Sequence, residues 1–396
     1  MTESTSRVGE TLAQVKGWCP GALRPMAASD GLVVRIRPPA GRLSMAQAQG
    51  IAALAQRHAS PWLELTNRAN LQLRGVGAAC HAPLLDGLRG LGLLDKDAAS
   101  EARRNVQVQP LWTEGDVTHG LALRLGEWLA GRDAPVLPAK FGFAVDTGAA
   151  PCLREAHADI RLERHADGVL VYADGADSGV VVAPQAAPRR ALDLARWFLG
   201  AGGAPEGRGR MAALLGRCAL PAEWRQTPVP AHAVLAPGPG PQAPGPIVSL
   251  AFGLVRASTL AALGACGALR LTPWRSLLVE GAARLPEGAE LITDPLDARL
   301  RVAACTGAPG CEQAWAPTRD LALALASAVG PGQLLHVSGC SKGCAHPTAA
   351  TTIVATRRGF DFIRFGTAAG APDHHGLDLP ALEQLLQQET AHAARV

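Results

Sequence analysis

Four of the nine cysteines stand in two short clusters. Cys305-Thr-Gly-Ala-Pro-Gly-Cys311 is C-x5-C, and Cys340-Ser-Lys-Gly-Cys344 is C-x3-C, with 28 residues between them. Thiolates are soft ligands, suited to iron–sulfur clusters and to zinc. Zinc knuckles usually space their ligands two to four residues apart, so C-x5-C points away from zinc. Gly307, Gly310, Gly339 and Gly343 surround the sulfurs, as a site needs where backbone N–H groups approach a cluster closely. The expectation is a cuboidal [4Fe–4S] cluster on Cys305, Cys311, Cys340 and Cys344; zinc and buried structural thiols are the alternatives. Cys19, Cys80, Cys152, Cys218 and Cys266 show no ligand spacing, and Cys266, in an Ala/Leu run, reads as core.

A second set of residues carries charge. Arg68 and Arg74 alternate with Leu71 and Leu73, and Arg35 and Arg37 share one face of a strand at i, i+2. Taken alone, these arginines and Lys140 read as solvated surface. The elements that must position both sets follow from periodicity. Two segments, Leu63-Glu-Leu-Thr-Asn-Arg-Ala-Asn-Leu-Gln-Leu-Arg-Gly75 and Leu269-Arg-Leu-Thr-Pro-Trp-Arg-Ser-Leu-Leu-Val-Glu-Gly281, align without a gap at an offset of 206. Each follows a strand-like run (31–37; 247–252) and an Ala/Leu-rich helix (44–58; 258–265), so the chain reads as two duplicated halves. Longer mixed units come after each: a strand over 104–109, a helix over 120–131 with Trp128 on its apolar side, a hairpin over 168–183, and helices over 191–199 and 211–218 in the first. The second has a helix over 319–329, strands over 334–338, 351–355 and 360–365, and a terminal helix over 379–394; Pro372-Asp-His-His-Gly376 reads as a turn. Residues 227–246, rich in Pro and Gly, read as a connector. Such mixing without a βαβ tandem indicates an α+β fold.

The chain has 396 residues, 48% hydrophobic and 18% charged, with 38 Lys+Arg against 34 Asp+Glu. That net charge of +4 is too small for a nucleic-acid binder. No run reaches the length of a membrane span, and residues 1–16 lack the apolar stretch of a signal peptide. A cytoplasmic protein without membrane or nucleic-acid partners is the expectation, and reduced thiols suit it.

Cys-x5-Cys followed by Cys-x3-Cys resembles the cluster signature of the sulfite/nitrite reductase family. Thr66-Asn-Arg-Ala-Asn-Leu-Gln-Leu-Arg-Gly-Val76 resembles its tetrapyrrole-contacting segment, Arg104-Asn-Val106 with Pro110 its R-N-V strand, and Leu137-Pro-Ala-Lys-Phe-Gly142 its L-P-x-K-F-K segment. The resemblance spans nearly the whole chain. It implies a pseudo-twofold fold: ferredoxin-like half-repeats at 17–90 and 247–290, reductase-like α+β domains at 91–226 and 291–396, and the linker 227–246. Within the family, Trp18-Cys-Pro-Gly-Ala-Leu-Arg-Pro-Met26, the segment 30–39 and His336-Val-Ser-Gly-Cys-Ser-Lys-Gly-Cys-Ala-His-Pro347 are most similar to its oxygen-using branch, which acts on a metal-free tetrapyrrole in cobalamin biosynthesis.

That likeness implies a monooxygenase with lactone formation, O2 and NAD(P)H-derived electrons, and an external electron-donor protein, since no G-x-G-x-x-G follows a strand. It also implies a mononuclear non-haem iron, for which the sequence offers His336, His346, His374, His375 and His119, with His346 first. Arg68, Gln72, Arg74, Arg104 and Lys140 would contact the tetrapyrrole, Lys140 and Arg104 as catalytic groups. The reductases carry two lysines in K-F-K beside their anion; here the second position is Gly142, which favours the oxygenase over a sirohaem-dependent sulfite or nitrite reductase. A non-catalytic tetrapyrrole or electron-transfer protein is the third reading.

Overall fold

The computed structural model describes residues 19–231 and 236–393. Trp18, the N-terminal residues 1–16, the centre of the 227–246 connector and Ala394 lie outside the described residues. The chain forms two compact units that divide between Asp297 and Ala298, and the fold is α+β.

In the first unit the expected duplication is built element by element. Strand Gly31–Ile36, a single 3-10 turn Pro39–Gly41, strand Arg42–Leu43, helix Met45–His58 and strands Trp62–Leu65 and Leu71–Val76 make the first half. Strand Ile247–Leu250, turn Ala251–Gly253, strand Leu254–Arg256, helix Ala257–Cys266 and strands Leu269–Leu271 and Ser276–Val279 make the second. Each half lends a strand to the other: Leu254–Arg256 pairs with Trp62–Leu65, and Arg42–Leu43 pairs with Leu269–Leu271. Both sheets are thereby covered along an edge that would otherwise expose unpaired N–H and C=O groups. The helices also meet. A Cβ at Gly264 would lie 2.7 Å from that of Ala48, so only a residue without a side chain lets them approach this far. Ser44 starts the first helix with a capping box to Gln47. Leu291–Ile292 pairs with Ile247–Leu250, which carries the second half past the expected boundary at 290.

A mixed sheet completes this unit, in the order Thr227–Pro228, Ser178–Val182, Gly168–Ala173, Ile160–His165, Phe143–Asp146, Val106–Val108. Val106–Val108, Phe143–Asp146 and Ile160–His165 run parallel, and the remaining pairings are antiparallel. Helices Val117–Ala130 and Ala187–Gly200 contribute to a core that includes Leu125, Phe141, Phe143 and Phe198. Three expectations change here. Trp128 faces solvent, because Leu121, Leu125 and Leu129 already fill the apolar stripe of its helix. Cys266 is exposed at the end of its helix. The connector is tied at both described ends, Thr227–Pro228 through the sheet and Gly240 by a bridge to Ile247.

The second unit, residues 298–393, holds a five-stranded sheet in sequence order: Val302–Ala304, Leu335–Ser338, Ala350–Thr356, Gly359–Gly366, His374–Leu377. The first three strands are parallel and the last two pairings antiparallel. Residues 374–377 are thus a strand where a turn was expected, because Phe362 and Phe360 pair with His374 and Leu377. Helix Arg319–Leu325, extended by a 3-10 turn Ala326–Ala328, and helix Leu379–Ala393 flank the sheet's sequence. No helix among the described residues is long and apolar enough to cross a membrane.

Candidate functional site

Parallel pairing puts the two cysteine loops side by side. Ala304 is in register with Val337, so both loops leave neighbouring strands at the same end. Gly339 N–H donates to Cys305 Sγ at 3.2 Å, Cys305 N–H to Val337 O at 3.4 Å, and Trp315 N–H to Gly339 O at 3.0 Å. A Cβ at Gly339 would sit 2.6 Å from Ala314 Cβ, which explains the glycine before Cys340. Burial pushes the Cys340 and Cys344 thiols up; Cys305 and Cys311 push further, Lys342 opposes, and so all four sulfurs share one electrostatic neighbourhood. Four thiolates gathered in this way call for positive charge among them.

Among the described residues no group of three or more His, Cys, Asp or Glu converges tightly enough for a single ion. A tetrahedral zinc site would draw its sulfurs to roughly 2.3 Å from one point. A cuboidal cluster instead takes its cysteines at separate corners. Four soft donors, a glycine cradle and a backbone N–H already aimed at Cys305 Sγ fit the [4Fe–4S] group.

The histidines disperse. His119 stacks on Trp112 at 4.3 Å, and exposed His375 lies 3.3 Å from Asp361. His374 is exposed near Phe362. Only His336 and His346 meet, with ring centroids 5.9 Å apart. His346 Nε2 is hydrogen-bonded with Thr348 at 2.8 Å. His336 is fully buried, both of its ring nitrogens lack a protein partner, and burial pushes it down to about 4. An unpartnered buried polar group costs about 1–3 kcal/mol. Among the described residues these histidines are not brought together as a ligand set for a mononuclear iron.

The cations are built on the first unit. In the turn between Trp62–Leu65 and Leu71–Val76, Thr66 Oγ1 accepts the N–H groups of Arg68 and Asn70, and Ala69 takes a left-handed φ of 53°. This turn projects Arg68, whose Nη1 donates to Lys140 O at 3.0 Å. Gly142 lies beside it: a Cβ there would stand 3.2 Å from His157 O, 3.3 Å from Asn105 O and 3.6 Å from Arg68 Nη1. Asp159, fully buried, accepts from Gly142 N–H and from Arg210 Nε. Burial first, then Arg68, Arg210 and Lys140, hold the His157 imidazole below its ordinary value. Gln72 links to both Arg35 and Glu64. Cys19 lies within electrostatic reach of Arg35, Arg37 and Arg68. Buried Arg37 is anchored by Pro20 O and Glu101 O, and Glu101 in turn accepts from Ala22 and Leu23. A cavity of about 300 Å³ opens among Arg37, Asn70, Arg104, Leu123 and Gly126.

Arg68, Arg35, Gln72 and the Lys140 segment thus come together. Arg104 reaches the cavity but grips Asp95 with both Nε and Nη2, and Arg74 grips Asp30 in the same way. Lys140 itself is exposed. His157, Arg210 and Asp159 escaped the sequence reading: no motif marks them, and the Gly-rich run before Arg210 resembles a loop.

Residues 24–91 match the nitrite/sulfite reductase ferredoxin-like half domain. Precorrin-3B synthase of a Sinorhizobium species is 30% identical to this chain, over 97% of it and 92% of that protein. The chain belongs to the precorrin-3B synthase branch of the sulfite/nitrite reductase family. The NirA protein of Mycobacterium tuberculosis shares the fold of this family member, with a TM-score of 0.64 at 17% identity, covering 91% of this chain and 81% of that one.

Proposed function

We propose that the chain acts as a precorrin-3B synthase, an O2-dependent monooxygenase. It hydroxylates precorrin-3A at the meso carbon and closes a γ-lactone from a ring acetate, ahead of ring contraction in cobalamin biosynthesis. The observation that carries this reading is the cation group around Gly142. Arg68, Arg35, Arg210 and the Lys140 segment suit a tetrapyrrole fringed with carboxylates, since guanidinium forks pair carboxylates at two points. Gly142 stands where an anion reductase has its second lysine, and a side chain there would press on His157 O and Asn105 O; without that lysine, anion reduction would lose on the order of 10²–10³ in rate. Support also comes from the name of the Sinorhizobium relative.

Each residue then has a task. Arg68, fixed by its bond to Lys140 O, holds a ring carboxylate in one orientation. Gln72, fixed by Glu64, keeps Arg35 directed toward Cys19 and Arg68. Arg104, at the cavity, balances a second carboxylate against Asp95. The cavity is at the small end of ligand sites, a size that admits an acetate or propionate arm. Lys140, whose carbonyl anchors Arg68, offers its exposed side chain to the substrate. Lactone closure requires the ring acetate to be ionised and aimed, which these cations favour. When bound, the [4Fe–4S] cluster supplies electrons singly from an external donor protein, ultimately from NAD(P)H; no step is assigned to the mononuclear iron.

Anaerobic purification, read by absorption spectrum with iron and acid-labile sulfide counted per chain, comes first. About four sulfides and no sirohaem bands are expected. Incubation with precorrin-3A under ¹⁸O2 then puts one labelled oxygen atom into the product. A sirohaem spectrum with sulfite or nitrite turnover would replace this reading by the reductase.

A further inference from the structure

We infer that His336 is a positioning residue for the cluster: its ring N–H, which no protein group accepts, is held for a cluster sulfur and raises the cluster's reduction potential. The inference rests on the cluster reading above. His336 lies on the strand Leu335–Ser338, four residues before Cys340, in register with Ala303 on one side and Thr352 on the other. Neither neighbour takes its proton. Ala303 has no polar side chain, and Thr352 Oγ1 bonds Gly366 O and Ala350 O. On the same face, Ser338 gives its hydroxyl to Cys340 O at 2.7 Å.

The ring therefore lies beneath the loop that carries Cys340 and Cys344. Gly343, in the middle of that loop, has a left-handed φ of 62°, and a Cβ on it would stand 3.6 Å from His336 Cε1. His346 closes the other side edge-on. A neutral imidazole carries one N–H and one lone pair. Fully buried, it meets no protein hydrogen-bond partner in this arrangement. Sulfurs of a cluster are acceptors, and hydrogen bonds to them are among the determinants of cluster potential.

The test uses the holoprotein with its cluster, as wild type, His336→Leu and His336→Gln. Iron and labile sulfide are counted first, and then the potential is measured by an EPR-monitored redox titration. The Leu variant, with full cluster content, is expected to shift to a more negative potential; the Gln variant, which keeps an N–H donor, is expected to recover part of that shift. In ¹⁵N-histidine-labelled protein, a weak nitrogen coupling to the reduced cluster should be present in the wild type and absent in either variant, so the Gln variant carries the test if the Leu variant fails to fold. An unmoved potential with a full cluster overturns the inference alone. So does loss of iron without loss of sulfide, which would make His336 a ligand of a separate iron. A wild type without labile sulfide overturns the cluster reading and this inference together.

Discussion

The sheet containing Val106–Val108, Phe143–Asp146 and Ile160–His165 and the sheet containing Val302–Ala304, Leu335–Ser338 and Ala350–Thr356 are built alike. In each, three parallel strands are followed by antiparallel pairings, three in the first sheet and two in the second. The loop after the second strand differs completely. In the first sheet it is self-sufficient: Asp146 accepts the N–H groups of Cys152 and Leu153 at 2.7 Å each, and Arg161 donates to Leu153 O and Ala156 O while pairing with Asp174. In the second it carries Cys340 and Cys344 above a histidine with no protein partner. One loop closes its own hydrogen bonds, and the other leaves the His336 ring nitrogens without a protein partner. On the function proposed above, the same backbone plan serves once as a self-braced loop and once as a cofactor socket.

Removing the sulfurs should produce the largest effect. Cys340→Ser or Cys344→Ser is expected to lose nearly all iron and labile sulfide, whereas Cys152→Ser, in the matching loop, should keep wild-type content. Wild-type iron and sulfide in Cys340→Ser would end the ligand assignment. Arg68→Leu should lower precorrin-3A turnover by on the order of 10²–10³ with little change in the denaturation midpoint. Its counterpart at offset 206, Trp274→Ala, should do the reverse, costing about 1–2 kcal/mol of stability and sparing turnover.

The two loops can also be compared through stability alone. Arg161→Leu strips a buried charge from its carbonyls and Asp174, and urea unfolding should register a loss of about 3 kcal/mol. In cluster-free protein His336→Leu should go the other way, by about 1 kcal/mol, because it removes an unsatisfied group.

The smallest effect concerns acid. His157 is held below its ordinary value, so as pH falls below about 6.5 the unfolded chain takes up a proton that the fold resists. Stability therefore declines with acid until the depressed folded value is passed. Arg68→Leu removes one of the opposing cations, so His157 should titrate higher by NMR and that decline should shrink. An unchanged His157 titration in the variant would separate Arg68 from the histidine.

Much of this was legible. The offset-206 repeat proves to be a repeat of backbone: Ala69 and Arg275 share a left-handed φ of 53° and 59°, and Gly75 and Gly281 one of 67° and 66°. Its candidate site side chains are not repeated, since Arg68, Gln72 and Arg74 face Trp274, Leu278 and Glu280 across the alignment. The likeness of the two mixed sheets left no such trace. Their parallel strands read as short apolar runs, and strand order depends on which distant segments pair. Trp128 and Cys266 were misjudged because helical spacing names a stripe without saying what covers it.

The sequence by itself determined the cysteine spacing and the duplicated halves, because each depends on residues close along the chain. Only the tertiary structure decided which charges stand together. It brought Arg210, His157 and Asp159 to Gly142, locked Arg74 onto Asp30, and buried His336 beneath the cysteine loop. Burial and pairing arise between segments far apart in the chain, and no local pattern carries that information.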